Sequence, residues 1–160
     1  MADIIIDGTV RVAYVPAIAS IASPTTTELN AGILLQSILT MDGLMGYEAD
    51  TAEVSTTALN STYDSKMPGR ASFSNTALQL KRQTGTDTAY TTLTRGTLGY
   101  IVVRRNGTAE TTAWASTNPV EVYPIACGEI KHQTPAENTV QLYQVPTMVY
   151  SAPNLRATVA

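Results

Sequence analysis

Hydrophobic positions along the chain recur mostly at the spacing of strands. The run 71–82 alternates Phe73, Leu78 and Leu80 with serine and glutamine, the period of two that a half-buried strand presents. Runs 120–131 and 140–151 are long and rich in valine and tyrosine, and a polar loop, 133–138, joins them. Three Asx-Gly pairs punctuate other β-type runs: Asp7-Gly8 between 3–6 and 9–15, Asp42-Gly43 between 33–40 and 44–54, and Asn106-Gly107 between 100–105 and 108–114. Two-residue hairpin turns need positive φ, which Asx-Gly adopts most readily, so each pair predicts a hairpin. Pro124 and Pro146 interrupt the two long runs. Proline cannot donate to a ladder, which predicts an edge or a bulge at each.

Helical signals are few. Ser23-Pro24 followed by Glu28 and closed by Gly32 predicts one short helix, and 87–94, closed by Arg95-Gly96, predicts a second. Between the strand signals lies 44–70, polar and poor in large apolar side chains. It reads as a long loop, and loops of that length inside a compact domain usually carry function. The predicted fold is mainly β, a sandwich or barrel with one or two short helices, in a single domain over 160 residues. Within it, 1–20 reads as an N-terminal hairpin or arm, 44–70 as a bridging loop and 152–160 as a C-terminal arm.

Composition adds a hint of assembly. Only 14% of residues are charged and 25 are threonine, a surface suited to meeting other protein rather than water. The net charge of −3 supplies no general attraction to nucleic acid. Its distribution is uneven: 1–65 carries eight carboxylates against Arg11, whereas 66–106 carries seven cations against Asp87. Such halves pair either within the fold or head-to-tail between copies. The pairs Lys81-Arg82 and Arg104-Arg105 read as solvent-facing or inter-subunit ion pairs, without the interleaved aromatics of a single-strand binder.

Catalytic motifs are missing. The sequence has one histidine, His132, at the polar end of a strand, and one cysteine, Cys127, in an apolar run. One of each cannot build a tetrahedral zinc site or an internal disulfide. Neither a nucleophile elbow nor a phosphate-cradling glycine loop is present. Asp42, Glu48, Asp50 and Glu53 cluster without the spacing of a calcium loop and read as a solvated acidic face. The expectation is a non-enzyme without cofactor or metal. The N-terminus has neither the cationic start nor the apolar length of a signal peptide, and no run is long enough to span a membrane, which predicts a cytosol-like setting.

The order of three blocks, Pro24 to Gly32, Asp42-Gly43-Leu44 through Gly46-Tyr47-Glu48-Ala49, and Tyr63-Asp64-Ser65-Lys66-Met67-Pro68-Gly69-Arg70, resembles the tail tube (major tail) proteins of long-tailed, non-contractile bacteriophages, the versions from actinobacterial phages above all. Ala89-Tyr90 through Arg95-Gly96-Thr97 to Arg104-Arg105 continues the pattern, which covers roughly 20–150. The resemblance implies a structural subunit that is made in the bacterial cytoplasm and forms stacked hexameric rings in the virion. It implies as partners other copies of itself, a tape measure protein, tail terminator and tail-tip proteins, and double-stranded DNA in passage without specific binding. It makes Tyr47, Tyr63, Asp64, Lys66, Met67 and Arg70 candidate inter-subunit residues, and Asp42, Glu48, Asp50 and Glu53 candidate lumen or inter-ring acids. The alternatives are the inner tube of a contractile tail or related injection particle, and a monomeric β-sandwich ligand-binding module. The second needs clustered exposed aromatics, and a single Trp114 and a single Phe73 speak against it.

Overall fold

A computed structural model describes residues 2–160. The elements run β1 (Arg11–Val15), α1 (Thr26–Asn30), β2 (Ile33–Leu34), β3 (Leu39–Met45), β4 (Asp50–Ser55), β5 (Lys66–Ser72), β6 (Ala77–Lys81), α2 (Thr88–Thr92), β7 (Leu98–Arg104), β8 (Pro119–Cys127), β9 (Lys131–His132), β10 (Leu142–Val149) and β11 (Asn154–Thr158). Nine strands form one antiparallel sheet in the order β2-β1-β7-β8-β10-β6-β3, with β11 added to β8 and β9 to β10. The sheet curls into a half-barrel, the mainly β architecture with two short helices that the alternation predicted.

The curl follows from β10. Its first half pairs with β6 through Pro146↔Ala77, and its second half pairs with β8 from Thr147↔Cys127 onward. Pro146 therefore stands where the strand changes partner. Pro124 does the same in β8, between the stretch paired with β11 and the stretch paired with β10. Both prolines lie inside central strands and not at free edges, one of the two placements expected of them. The missing N–H falls where one ladder ends and the next begins.

Two cores result. Inside the curl, Val12, Tyr14, Ile101, Val103, Tyr123 and Ile125 meet Leu78, Leu80, Tyr143 and Val145. On the outer face, Ala13, Val15, Val102 and Val122 are covered by Leu29 of α1, Trp114 and the C-terminal Ala157 and Val159. Strands β1, β7 and β8 are thus covered on both faces, which explains their nearly continuous burial. Helix α1 starts with a full capping box, Thr25 with Glu28. Backbone N–H groups of Thr25 and Ala19 also donate to the Glu28 carboxylate and hold it below the usual carboxylate range.

None of the three Asx-Gly pairs forms its predicted hairpin. Residues 2–6 make no strand, 108–114 makes none, and Asp42-Gly43 lies inside β3. There the register against β6 slips between Leu39 and Leu44. A β-carbon on Gly43 would sit 2.8 Å from the Gln79 carbonyl oxygen, so this glycine serves close backbone approach in a bulge. The run 71–82 is likewise two strands, β5 and β6, broken at Asn75, whose φ is 56°. The C-terminal segment read as an arm is mostly β11, docked on β8.

Candidate assembly surface

Segment 44–70, expected to be a loop, is largely a separate two-stranded ladder. Strands β4 and β5 pair from Asp50↔Ser72 to Ser55↔Lys66, and 56–65 forms the tip. Between 48 and 72 every residue is exposed except the half-buried Thr57 and Gly69. Neither face of this arm touches a core. It carries large apolar side chains nonetheless: Val54 opposite Met67, and at the tip Tyr63, 80% exposed, and the fully exposed Leu59. A two-stranded hairpin with no covering layer is marginally stable in water. Apolar groups held out on one indicate a surface completed by another molecule.

Tyr63 and Asp64 stand at the tip, and Lys66, Met67 and Arg70 on β5. Lys66 forms an exposed ion pair with Glu53 across the ladder, whereas Arg70 has no ion-pair partner among the described residues. Tyr47 differs from the rest. Its hydroxyl lies 2.6 Å from that of Thr147, and its ring packs edge-on against Tyr123. Burial raises its pKa. Tyr47 is a core residue at the root of the arm, next to Gly46, whose φ is 73°.

The four acids divide between two places. Asp50 and Glu53 ride on β4, while Asp42 and Glu48 stand beside a groove of about 580 Å³ at the open edge of the half-barrel. Its lining includes Ile6, Val10, Leu39, Met41 and Leu44, with Asp7 and Glu110 adding two further carboxylates. No group of three or more His, Cys, Asp or Glu side chains among the described residues is placed to hold a metal ion. His132 Nε2 lies 3.2 Å from the Tyr90 hydroxyl. Burial pushes the Cys127 thiol up to about 11, which keeps it protonated and inert at neutral pH.

Of the basic pairs only Arg104 turns inward, contrary to expectation; Arg105 is exposed, and Lys81 and Arg82 are half-buried. Arg82 binds Asp87 at 3.1 Å and lies over the Tyr90 ring at 3.6 Å. Arg105 reaches Glu121 at 3.6 Å. Arg104 is fully buried and donates to the carbonyls of Ala109, Thr112 and Ala113 and to the Asn118 side chain. With Arg11, its register partner on β1, it flanks Trp114 and ties the long loop between the paired strands β7 and β8 onto the sheet. Burial, with Arg11 beside it, lowers the Arg104 pKa. The period of two in β7 was the available signal: Arg104 shares a face with Val102, and Arg105 does not.

A family profile described as "Phage tail tube protein" matches residues 1–160. The chain belongs to the phage tail tube family. It is accordingly a structural protein of the virion and not an enzyme. Self-association into a tube and contact with other tail components come with that membership. A search of curated proteins finds no match. Among solved structures, a chain of the "Cryo-EM structure of the anti-feeding prophage (AFP) baseplate, 6-fold symmetrised" shares the fold. The TM-score is 0.59 at 8% identity, over 96% of both chains. No helix among the described residues is long and apolar enough to cross a membrane.

Proposed function

We propose that this tail tube protein assembles as rings of six copies, stacked into a hollow tube that guides double-stranded DNA during ejection from a long, non-contractile tail. A tape measure protein occupies the channel beforehand, and terminator and tip proteins close its ends. The observation that carries this reading is the arm of β4 and β5, exposed on both faces and apolar at Val54, Met67, Leu59 and Tyr63. A neighbouring copy supplies the layer that the hairpin lacks. The sixfold symmetry in the structural neighbour's title supports six copies to a ring.

The acidic half of the chain has a place in the same picture. Among the eight carboxylates of 1–65, only Glu53 takes part in an ion pair within the described residues. Asp42, Glu48, Asp50 and Glu53 serve the lumen or the contact with a neighbouring ring. In the lumen, negative charge repels phosphates and keeps the genome from adhering. Reversing two of them, Asp42→Lys with Asp50→Lys, is expected to impair tube assembly or DNA delivery, read by electron microscopy and by ejection from reconstituted particles. Unchanged performance in both assays contradicts their role.

A second reading, service in a contractile or injection particle, draws support from the same neighbour, whose title names a prophage baseplate. A sheath around tubes isolated from native particles decides for it. A bare tube decides for the first reading.

A further inference from the structure

The groove at the open edge of the half-barrel has the complement of the arm built into it. Its floor is apolar, and four carboxylates, from Asp7, Asp42, Glu48 and Glu110, line it against one cation, Arg105. That arginine already faces Glu121. The rim therefore carries uncompensated negative charge around an apolar floor. Strand β5 carries no acid, an exposed Met67 and, beyond the Lys66 already paired with Glu53, one cation without an ion-pair partner among the described residues, Arg70. Methionine fills irregular apolar gaps readily, and long cationic side chains lay their stems on apolar surface while their heads reach outward.

We propose that the groove of one copy receives strand β5 of a second copy, with Met67 on the apolar floor and Arg70 at the acidic rim. The proposal rests on the self-association reading and adds the receiving site. The same copy cannot fill its own groove. Met67 lies five residues from the root of the ladder, whose register slips once near that root, and thus about 17 Å along it at the rise of a strand, while Glu48 on the groove lies just before that root. The contact is consequently head-to-tail, the type that propagates into rings or stacks. Opposite charges across it set register and partner choice more than affinity.

The test mixes two full-length proteins, each with one added exposed cysteine, during assembly and oxidises them. One carries Met67→Cys and the other Met41→Cys, at the groove. Met148→Cys, exposed elsewhere at 55%, is the control acceptor. Cys127 is buried and stays out of the exchange. The expected result is a disulfide-linked heterodimer from the 67 and 41 pair and none from the 67 and 148 pair. Arg70→Glu in the arm donor lowers its yield several-fold, as a rim ion pair does. Tubes that form while the 67 and 41 pair stays unlinked overturn the groove assignment and leave the tube standing. Wild-type protein that remains monomeric in the same buffer overturns both.

Discussion

Replacing residues 50–72 by a two-residue glycine-rich turn is expected to yield a folded monomer that builds no tube. Asp50 and Ser72 are register partners at the root of the arm. Their backbones are thus about 5 Å apart, close enough for a short turn to bridge. No side chain of the removed segment belongs to either core. Its ion pair and its Val54–Met67 contact are internal to the arm. The loss of folding stability should stay within about 1 kcal/mol, since exposed substitutions away from a core rarely cost more. Thermal unfolding followed by circular dichroism checks the fold, and sedimentation velocity with electron microscopy checks assembly. Tubes built by the shortened chain contradict the role given to the arm.

Arg104→Ala is expected to be the most destabilising single substitution at a charged residue. The guanidinium satisfies three backbone carbonyls and one side-chain oxygen across 109–118, and it lies under Trp114 with no exposure. Its removal leaves the Thr112 and Ala113 carbonyls without a donor beneath a packed loop, while the Ala109 carbonyl and Asn118 Oδ1 keep the backbone N–H groups of Thr112 and Ala115. Each buried unsatisfied group costs about 1–3 kcal/mol, so a total of about 3–5 kcal/mol is expected after partial rehydration. At about 2–4 °C per kcal/mol for a chain of this size, the melting temperature falls by about 10 °C. Lysine at the same position does not restore it, because a point ammonium cannot span acceptors arranged for a planar fork. A melting temperature within 2 °C of wild type (under about 1 kcal/mol) contradicts the clamp.

The parts of the fold legible in the sequence were those with a local physical cause. The Pro24 start, Glu28 and Gly32 stop of α1, the glycine stop after α2 and the alternation in β6 each follow from neighbouring residues. Misread features depended on pairing partners far along the chain. Asp42-Gly43 has the chemistry of a turn, but its glycine is needed because the backbone of β6 passes close by. Pro124 and Pro146 have the chemistry of edges, yet each stands where a central strand exchanges one neighbour for another. Segment 44–70 lacked the apolar alternation of a strand because both faces of its hairpin are exposed within one chain. No core selects its pattern.

The candidate site was legible to the same degree. Tyr63, Lys66, Met67 and Arg70 could be placed on one segment, but Tyr47 could not be separated from them, since its burial depends on Tyr123 and Thr147. The groove could not be read at all. It draws on the N-terminal segment, β1, β3 and the loop after β7, which only the curl of the sheet brings together.

Imaging the purified wild-type protein by electron microscopy across a concentration series tests the central claim most directly. The account predicts sixfold rings and hollow stacked tubes that lengthen with concentration. Particles that stay single subunits at the highest concentration contradict it.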